Sequence, residues 1–210
     1  MQMSAEFNPF HPEKPVEKSR RNLPHWFQKG CTVFITFRLA DSLPESLLGP
    51  WRDERKAWCQ DHPTPWEDRE WREYHATFTR RIEDWLDAGR GECWLRQPSV
   101  RQKVADCIQR FHGERLQLSD YVVMPNHVHL LLTPIGETTL SAILKGIKGA
   151  SARECNLLLD RTGAFWMDEN FDHLVKSERQ WNHFRKYIRD NPAKAGLPAS
   201  EFTYWSNHTT

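Results

Sequence analysis

The stretch YVVMPNHVHLLLTP, Tyr121 to Pro134, restricts this chain more than any other. Two apolar runs flank Met124-Pro125-Asn126, and Pro and Asn are turn residues, so the segment reads as a β-hairpin. Side chains alternate along a strand, which sends His127 and His129 to one face together with Leu131, while Val128, Leu130 and Leu132 line the other. A strand that is apolar on both sides is buried on both sides. Buried neutral imidazoles need partners, and a divalent metal ion is one that two of them can share. The plainer alternative is a pair of polar side chains on the solvated side of a hairpin.

Composition narrows the setting. At 210 residues the chain is long enough for one domain with insertions. Its 29 Lys and Arg against 28 Asp and Glu leave no overall positive field, so contact with nucleic acid has to be local. Cys31, Cys59, Cys93, Cys107 and Cys155 are scattered without a C-x-x-C pair. That pattern fits reduced thiols and a cytoplasmic setting better than a zinc finger or a disulfide framework. The N-terminal residues are polar and proline-rich and lack the apolar core of a signal peptide. No run of about 18 apolar residues occurs, so no membrane span is expected.

Along the chain, residues 1–28 carry four prolines among charges and are expected to form an extended arm. Thr32 to Leu39 is a β-branched and aromatic run, read as the first strand. Residues 44–91 form a charged, tryptophan-rich helical insertion, with a helix from Trp66 that ends at Gly89. Trp51, Trp58, Trp66, Trp71 and Trp85 fit helix-packing anchors better than base-stacking platforms. A second helix opens at Pro98, buries Val100, Val104, Ile108 and Phe111, and stops at Gly113. A third spans about Thr138 to Leu159, and GAFWMDENFDHLV is a loop with a short strand. The last begins at Ser177, an N-cap with Gln180 three residues on, and is expected to end at Asp190 or Asn191 because Pro192 follows. Residues 29–200 then form the domain and 201–210 a tail. The order predicts an α+β fold: a ferredoxin-like antiparallel sheet with helices on one face.

If the histidines belong to a catalytic site, the other half should lie in FRKYIRDNPAKAGL. Tyr187 and Asn191 are four residues apart, so on a helix they share one face. Asn191 offers an amide oxygen that suits Mg²⁺ or Mn²⁺ beside imidazole, and Tyr187 offers a phenol. A core tyrosine of an amphipathic helix is the alternative.

Together, VVMPNHVH, TVFITFRLADSLP and GAFWMDENFDHLVKSERQWNHFRKYIRDNPAKAGL resemble the HUH single-tyrosine transposases of the insertion-sequence 200/605 type. They resemble most their domesticated branch, the REP-associated tyrosine transposases, over roughly residues 25 to 200. The resemblance implies that His127 and His129 are metal ligands and that Tyr187 is the nucleophile. It also implies a Mg²⁺ or Mn²⁺ cofactor, and single-stranded DNA folded into REP-like hairpins as the substrate. Insertion-sequence members typically carry a glutamine ligand four residues after the tyrosine. Here that position is Asn191, followed by Pro192, which leaves water or another side chain as alternative third ligands.

The expected chemistry is metal-assisted attack of Tyr187 on a phosphodiester, giving a 5′-phosphotyrosine and a free 3′-OH. Lys145, Lys148, Arg153, Arg185 and Lys194 are the candidate DNA contacts, with Gly146 and Gly149 admitting a phosphate backbone. Two other readings remain: a hairpin-binding protein without catalysis, and a phosphoesterase that uses water. A monomer with Tyr187 acting within its own chain is preferred to a dimer.

Overall fold

The computed structural model describes residues 7–20, 24–63 and 66–207, without the side chains of residues 17–20, 24–26, 68 and 71. Its centre is a βαββαβ unit built from β3 (Val33–Arg38), α4 (Pro98–Gln109), β4 (Leu116–Val123), β5 (His127–Pro134), α5 (Leu140–Leu158) and β6 (Phe171–Leu174). The strands lie in the order β6-β3-β5-β4, all antiparallel, which is the split βαβ arrangement of a ferredoxin-like fold. The fold class is therefore α+β, as the order of elements predicts. A further strand, β7 (Thr203–Ser206), pairs with β4 at the edge.

The two faces of the sheet are packed by different helices. On one, Val33, Ile35, Phe37, Val128, Leu130 and Leu132 meet the apolar stripes of α4 and α5. On the other, Phe34, Val122, Met124 and Leu131 meet Trp181 and Ile188 of α6 (Glu178–Lys194). The ferredoxin-like helix pair is thus on one face as expected, and α6 covers the opposite face. A register shift between Leu118 and Asp120 breaks the alternation of β4. An extra residue at such a bulge re-aims the side chains that follow it. Asp120 is thereby turned onto the α6 face, where Arg185 Nε (2.8 Å) and the Tyr204 hydroxyl (3.0 Å) donate to its carboxylate.

The hairpin turn is closed by Met124 N–H donating to His127 O (2.9 Å) and is anchored by Leu39 N–H donating to Asn126 O (2.8 Å). The Ser177 cap forms as expected: its hydroxyl accepts from Gln180 N–H (3.2 Å), and Gln180 Oε1 accepts from Lys176 N–H (2.8 Å).

The insertion comprises α1 (Glu45–Asp61), α2 (Asp68–Tyr74), a π-helical turn (His75–Thr79) and α3 (Arg80–Asp87). Trp51, Trp58 and Trp66 pack with Tyr74 and Phe78 inside it, as helix anchors do, and the side chain of Trp71 lies outside the described residues.

Two expectations are corrected. The α6 helix does not stop before Pro192 but runs through it to Lys194. Proline's fixed φ suits a helix and its main cost is one lost hydrogen bond, which is small when only the last turn remains. The 201–210 tail supplies β7, whose Thr, Tyr and Trp are strand formers. In the arm, β1 (Glu17–Arg20) and β2 (Pro24–Phe27) pair as a small antiparallel sheet, while residues 1–6 and 21–23 lie outside the described residues. Among the described residues no helix is long and apolar enough to cross a membrane.

Candidate active site

Strand β5 places His127 and His129 on the α6 face, both fully buried. Their Nε2 atoms converge to 3.0 Å, and each Nδ1 is held from behind. His127 Nδ1 lies 2.7 Å from Asn126 Oδ1, and the Asn126 amide is oriented by donating to Leu86 O (3.2 Å) and Arg90 O (3.0 Å). With that oxygen as acceptor, His127 carries its proton on Nδ1 and keeps a lone pair on Nε2. His129 Nδ1 lies 2.7 Å from the Thr36 hydroxyl, which can donate or accept. Rotation of that hydroxyl lets His129 also hold its proton on Nδ1 and present Nε2. Burial, and then the charge of Lys194, pulls His127 down to about 3. Burial, His127 and Lys194 hold His129 well below its ordinary value. Both rings are therefore neutral, the form that binds metals.

Helix α6 lies across this pair. The Tyr187 ring stands edge-on to His129 with centroids 5.1 Å apart, and edge-on to Phe34 at 5.8 Å. One turn later Asn191 is 1% exposed, and its amide bears on the Asp87 carboxylate without making a hydrogen bond of ordinary geometry among the described residues. The buried Tyr187 hydroxyl also lacks a partner of ordinary geometry. Buried polar groups need partners, and these two face the carboxylates of Glu83 and Asp87 on the neighbouring helix.

The insertion supplies the rest of the site. Helix α3 runs beside α6, tied by Lys194 Nζ to Asp87 (2.9 Å) and Asp84 (3.6 Å). It brings Glu83 to bear on Tyr187. Burial, followed by the charges of Glu83, Asp87 and Asp84, pushes the phenol well above its ordinary value. Burial likewise pushes Glu83 up to about 7, against the opposing pull of Lys194. Glu83 and Asp87 stand four residues apart, a spacing equally typical of a solvated helix face, so sequence alone could not separate the two roles. Asn126, directly before His127, and Thr36 were missed too. Their roles depend on a cross-strand pairing, Thr36 opposite His129, that no local pattern announces.

Of the candidate DNA contacts, Lys194 lies at this site and the others lie away from it or are engaged elsewhere. Arg185 is committed to buried Asp120 and stacks over Trp181, with its guanidinium carbon 4.6 Å from the ring centroid. Lys194 is committed to Asp84 and Asp87, and Lys148 donates to the backbone carbonyls of Met167 (2.8 Å) and Asp168 (2.9 Å). Lys145 and Arg153 are exposed on α5, which packs on the opposite face of the sheet from the histidines. Gly146 has a packing reason: a Cβ there would meet the Phe111 ring at 3.3 Å. No such neighbour explains Gly149.

Among the described residues no group of three His, Cys, Asp or Glu side chains could hold a metal. What the site does offer is two converging neutral imidazoles, a ligand type that divalent cations accept.

Residues 90–191 match the family model described as "Transposase IS200 like". The match begins beyond α3 and takes in His127, His129 and Tyr187 before ending at Asn191. The REP-associated tyrosine transposase of Escherichia coli (strain K12) is 27% identical over 81 residues, 38% of this chain and 46% of that protein. The match thus spans about half the length of that curated relative. A solved structure of a REP-associated tyrosine transposase bound to a REP hairpin covers 87% of this chain and 76% of its own, at 18% identity and a TM-score of 0.47. A Deinococcus radiodurans R1 protein described as a candidate transposase covers 79% and 93%, at 16% identity and a TM-score of 0.37.

Proposed function

We propose that this chain, which carries an IS200-like transposase segment over residues 90–191, is a single-stranded DNA endonuclease and strand transferase acting on hairpin DNA. The observation that carries the proposal is the convergence of His127 and His129 Nε2 at 3.0 Å, each ring fixed through Nδ1, with Tyr187 edge-on to the pair.

His127, His129 and Asn191 would hold a Mg²⁺ or Mn²⁺ ion, which when bound polarises the scissile phosphate. The phenol oxygen of Tyr187 attacks phosphorus, a Tyr–O–P bond forms, and the P–O3′ bond breaks. The departing 3′ oxygen takes a proton from solvent, and the products are a 5′-phosphotyrosine and a free 3′-OH. Glu83 is placed to take the phenolic proton, and a carboxylate at about 7 is matched to that task near neutral pH. The bond energy stays in the tyrosyl ester, so a second 3′-OH can reverse the step without a nucleotide cofactor. Tyr187 packs on His129 within one chain, an arrangement compatible with a monomer that acts in cis. Lys145 and Arg153 are the exposed cations left to follow a phosphate backbone.

The test is incubation with hairpin single-stranded DNA and Mn²⁺, followed by mass spectrometry. A covalent adduct is expected with the wild type and none with Tyr187→Phe, while hairpin binding persists in both. An adduct that survives the substitution sinks the assignment. A second reading, hairpin binding without cleavage, draws on the acidic ring of Glu83, Asp84 and Asp87 that holds the phenol protonated. It predicts binding with no adduct in either Mg²⁺ or Mn²⁺. Cleavage without an adduct would instead mark water as the nucleophile.

A further inference from the structure

A pocket of about 130 Å³ opens between β3 and the insertion, beside the histidine pair but not lined by it. One water needs roughly 10–15 Å³ measured this way, so the hollow takes a ligand rather than a solvent molecule. Thr36, the partner of His129, and Arg38, which pairs across the ladder with His127, lie on its sheet side. Cross-strand partners share a face, so Arg38 stands on the histidines' side of the sheet. Trp51, Arg52 and Arg55 come from α1, Phe171 from β6, and Glu83 closes the end toward Tyr187.

Arg38 is the odd member of this wall. Among the described residues it has no carboxylate within ion-pair distance, and its guanidinium donates only to the Ser42 hydroxyl at 3.0 Å. A half-buried cation without an anion is destabilising, and natural chains keep such groups where a ligand compensates them. Burial, and then the neighbouring charge of Arg52, pulls Arg38 down to about 10. Arg52 is engaged by Glu45 at the surface, and Arg55 donates to the Tyr74 hydroxyl (2.6 Å) while lying over the Trp51 ring. Carboxylates are present as well, in Glu83 and Glu169, so the wall repels a ligand that is anionic throughout. It favours one with a single anionic group and a flat apolar body.

We propose that this pocket binds one unpaired nucleotide of the DNA strand, its phosphate on Arg38 and its base against Trp51 and Phe171. The chemistry is that of single-strand binding elsewhere: a planar guanidinium fork on phosphate and an aromatic face under a base. The proposal rests on the nuclease reading for its biological substrate. In that setting the pocket fixes the nucleotide neighbouring the scissile phosphate, so the insertion, which the family match does not include, sets where the strand is cut.

The test uses the full ¹⁵N-labelled chain, titrated with thymidine 5′-monophosphate and separately with inorganic phosphate. The resonances to follow are those of the Arg38 Nε–H and the Trp51 indole N–H. The nucleotide should shift both, phosphate only the first, and Arg38→Gln should weaken nucleotide binding at least tenfold. Arg38→Gln should also leave the unfolding midpoint unchanged or raise it, because it removes an uncompensated charge. The proposal is overturned by a silent Arg38, by unchanged affinity in Arg38→Gln, or by a fall in its midpoint, which would make the side chain structural. It is also overturned if phosphate and nucleotide act alike and Trp51 stays still. Nucleotide shifts without any adduct on hairpin DNA would uphold the pocket and remove the nuclease reading. An adduct with a silent pocket would do the reverse.

Discussion

The two faces of the central sheet are built from the same strands and have opposite characters. The α4/α5 face is a closed apolar core in which Val33, Ile35, Leu130 and Leu132 are all 0% exposed. The α6 face includes His127, His129, Tyr187 and Asn191, and the last two face carboxylates without hydrogen bonds of ordinary geometry. The first face holds the molecule together. The second spends stability on buried polar groups, which is how functional sites depart from optimal packing.

Substitutions should separate the faces. The largest effect belongs to Tyr187→Phe: complete loss of the DNA adduct in a denaturing gel, with the unfolding midpoint little changed because the buried hydroxyl makes no hydrogen bond of ordinary geometry. A drop in the midpoint as large as that of a core truncation would erase the distinction. Leu130→Ala on the other face should cost about 2–5 kcal/mol in denaturant unfolding. Adduct formation by the fraction that remains folded should be unchanged.

Next comes pH. Glu83 sits at about 7 in the folded chain against an ordinary value of 4.5, so the folded state holds its proton more tightly. Its contribution to stability is full below pH 4.5 and is lost as pH rises through 7. Glu83→Gln should therefore match the wild type at pH 4 and exceed it by on the order of 1–3 kcal/mol at pH 8. Adduct formation by the wild type should rise through pH 7 as the carboxylate becomes available, and Glu83→Gln should lose that rise. A flat wild-type profile would remove Glu83 from the proton transfer.

The smallest contrast lies within α5. Gly149→Ala should stabilise by up to about 1 kcal/mol through helix propensity, since nothing stands within 4 Å of the new methyl. Gly146→Ala should gain less or lose, because the Phe111 ring at 3.3 Å must give way. Equal gains would show that the α4/α5 face is looser than its burial suggests.

Much of this was legible in the residues. Alternation along β5 determines that His127, His129 and Leu131 share a face, because the period of a strand is two whatever it packs against. Ser177 and Gln180 mark the start of α6, and its 3.6-residue period puts Tyr187 and Asn191 on one side. The order of apolar runs and helices gives the βαββαβ unit. Each of these is local, decided within a few residues.

What the tertiary structure decided is who meets whom over long separations. Lys194 reaches Asp87 across 107 positions, and that contact docks the insertion so that Glu83 faces Tyr187. A bulge turns Asp120 toward Arg185, and the loop carrying Met167 folds back over α5 to accept from Lys148. A charge in a sequence carries no sign of its partner, because the Coulomb term depends on a distance that only packing sets. So the residues themselves announced the histidines, the tyrosine and the amide, and the fold decided which charges surround them.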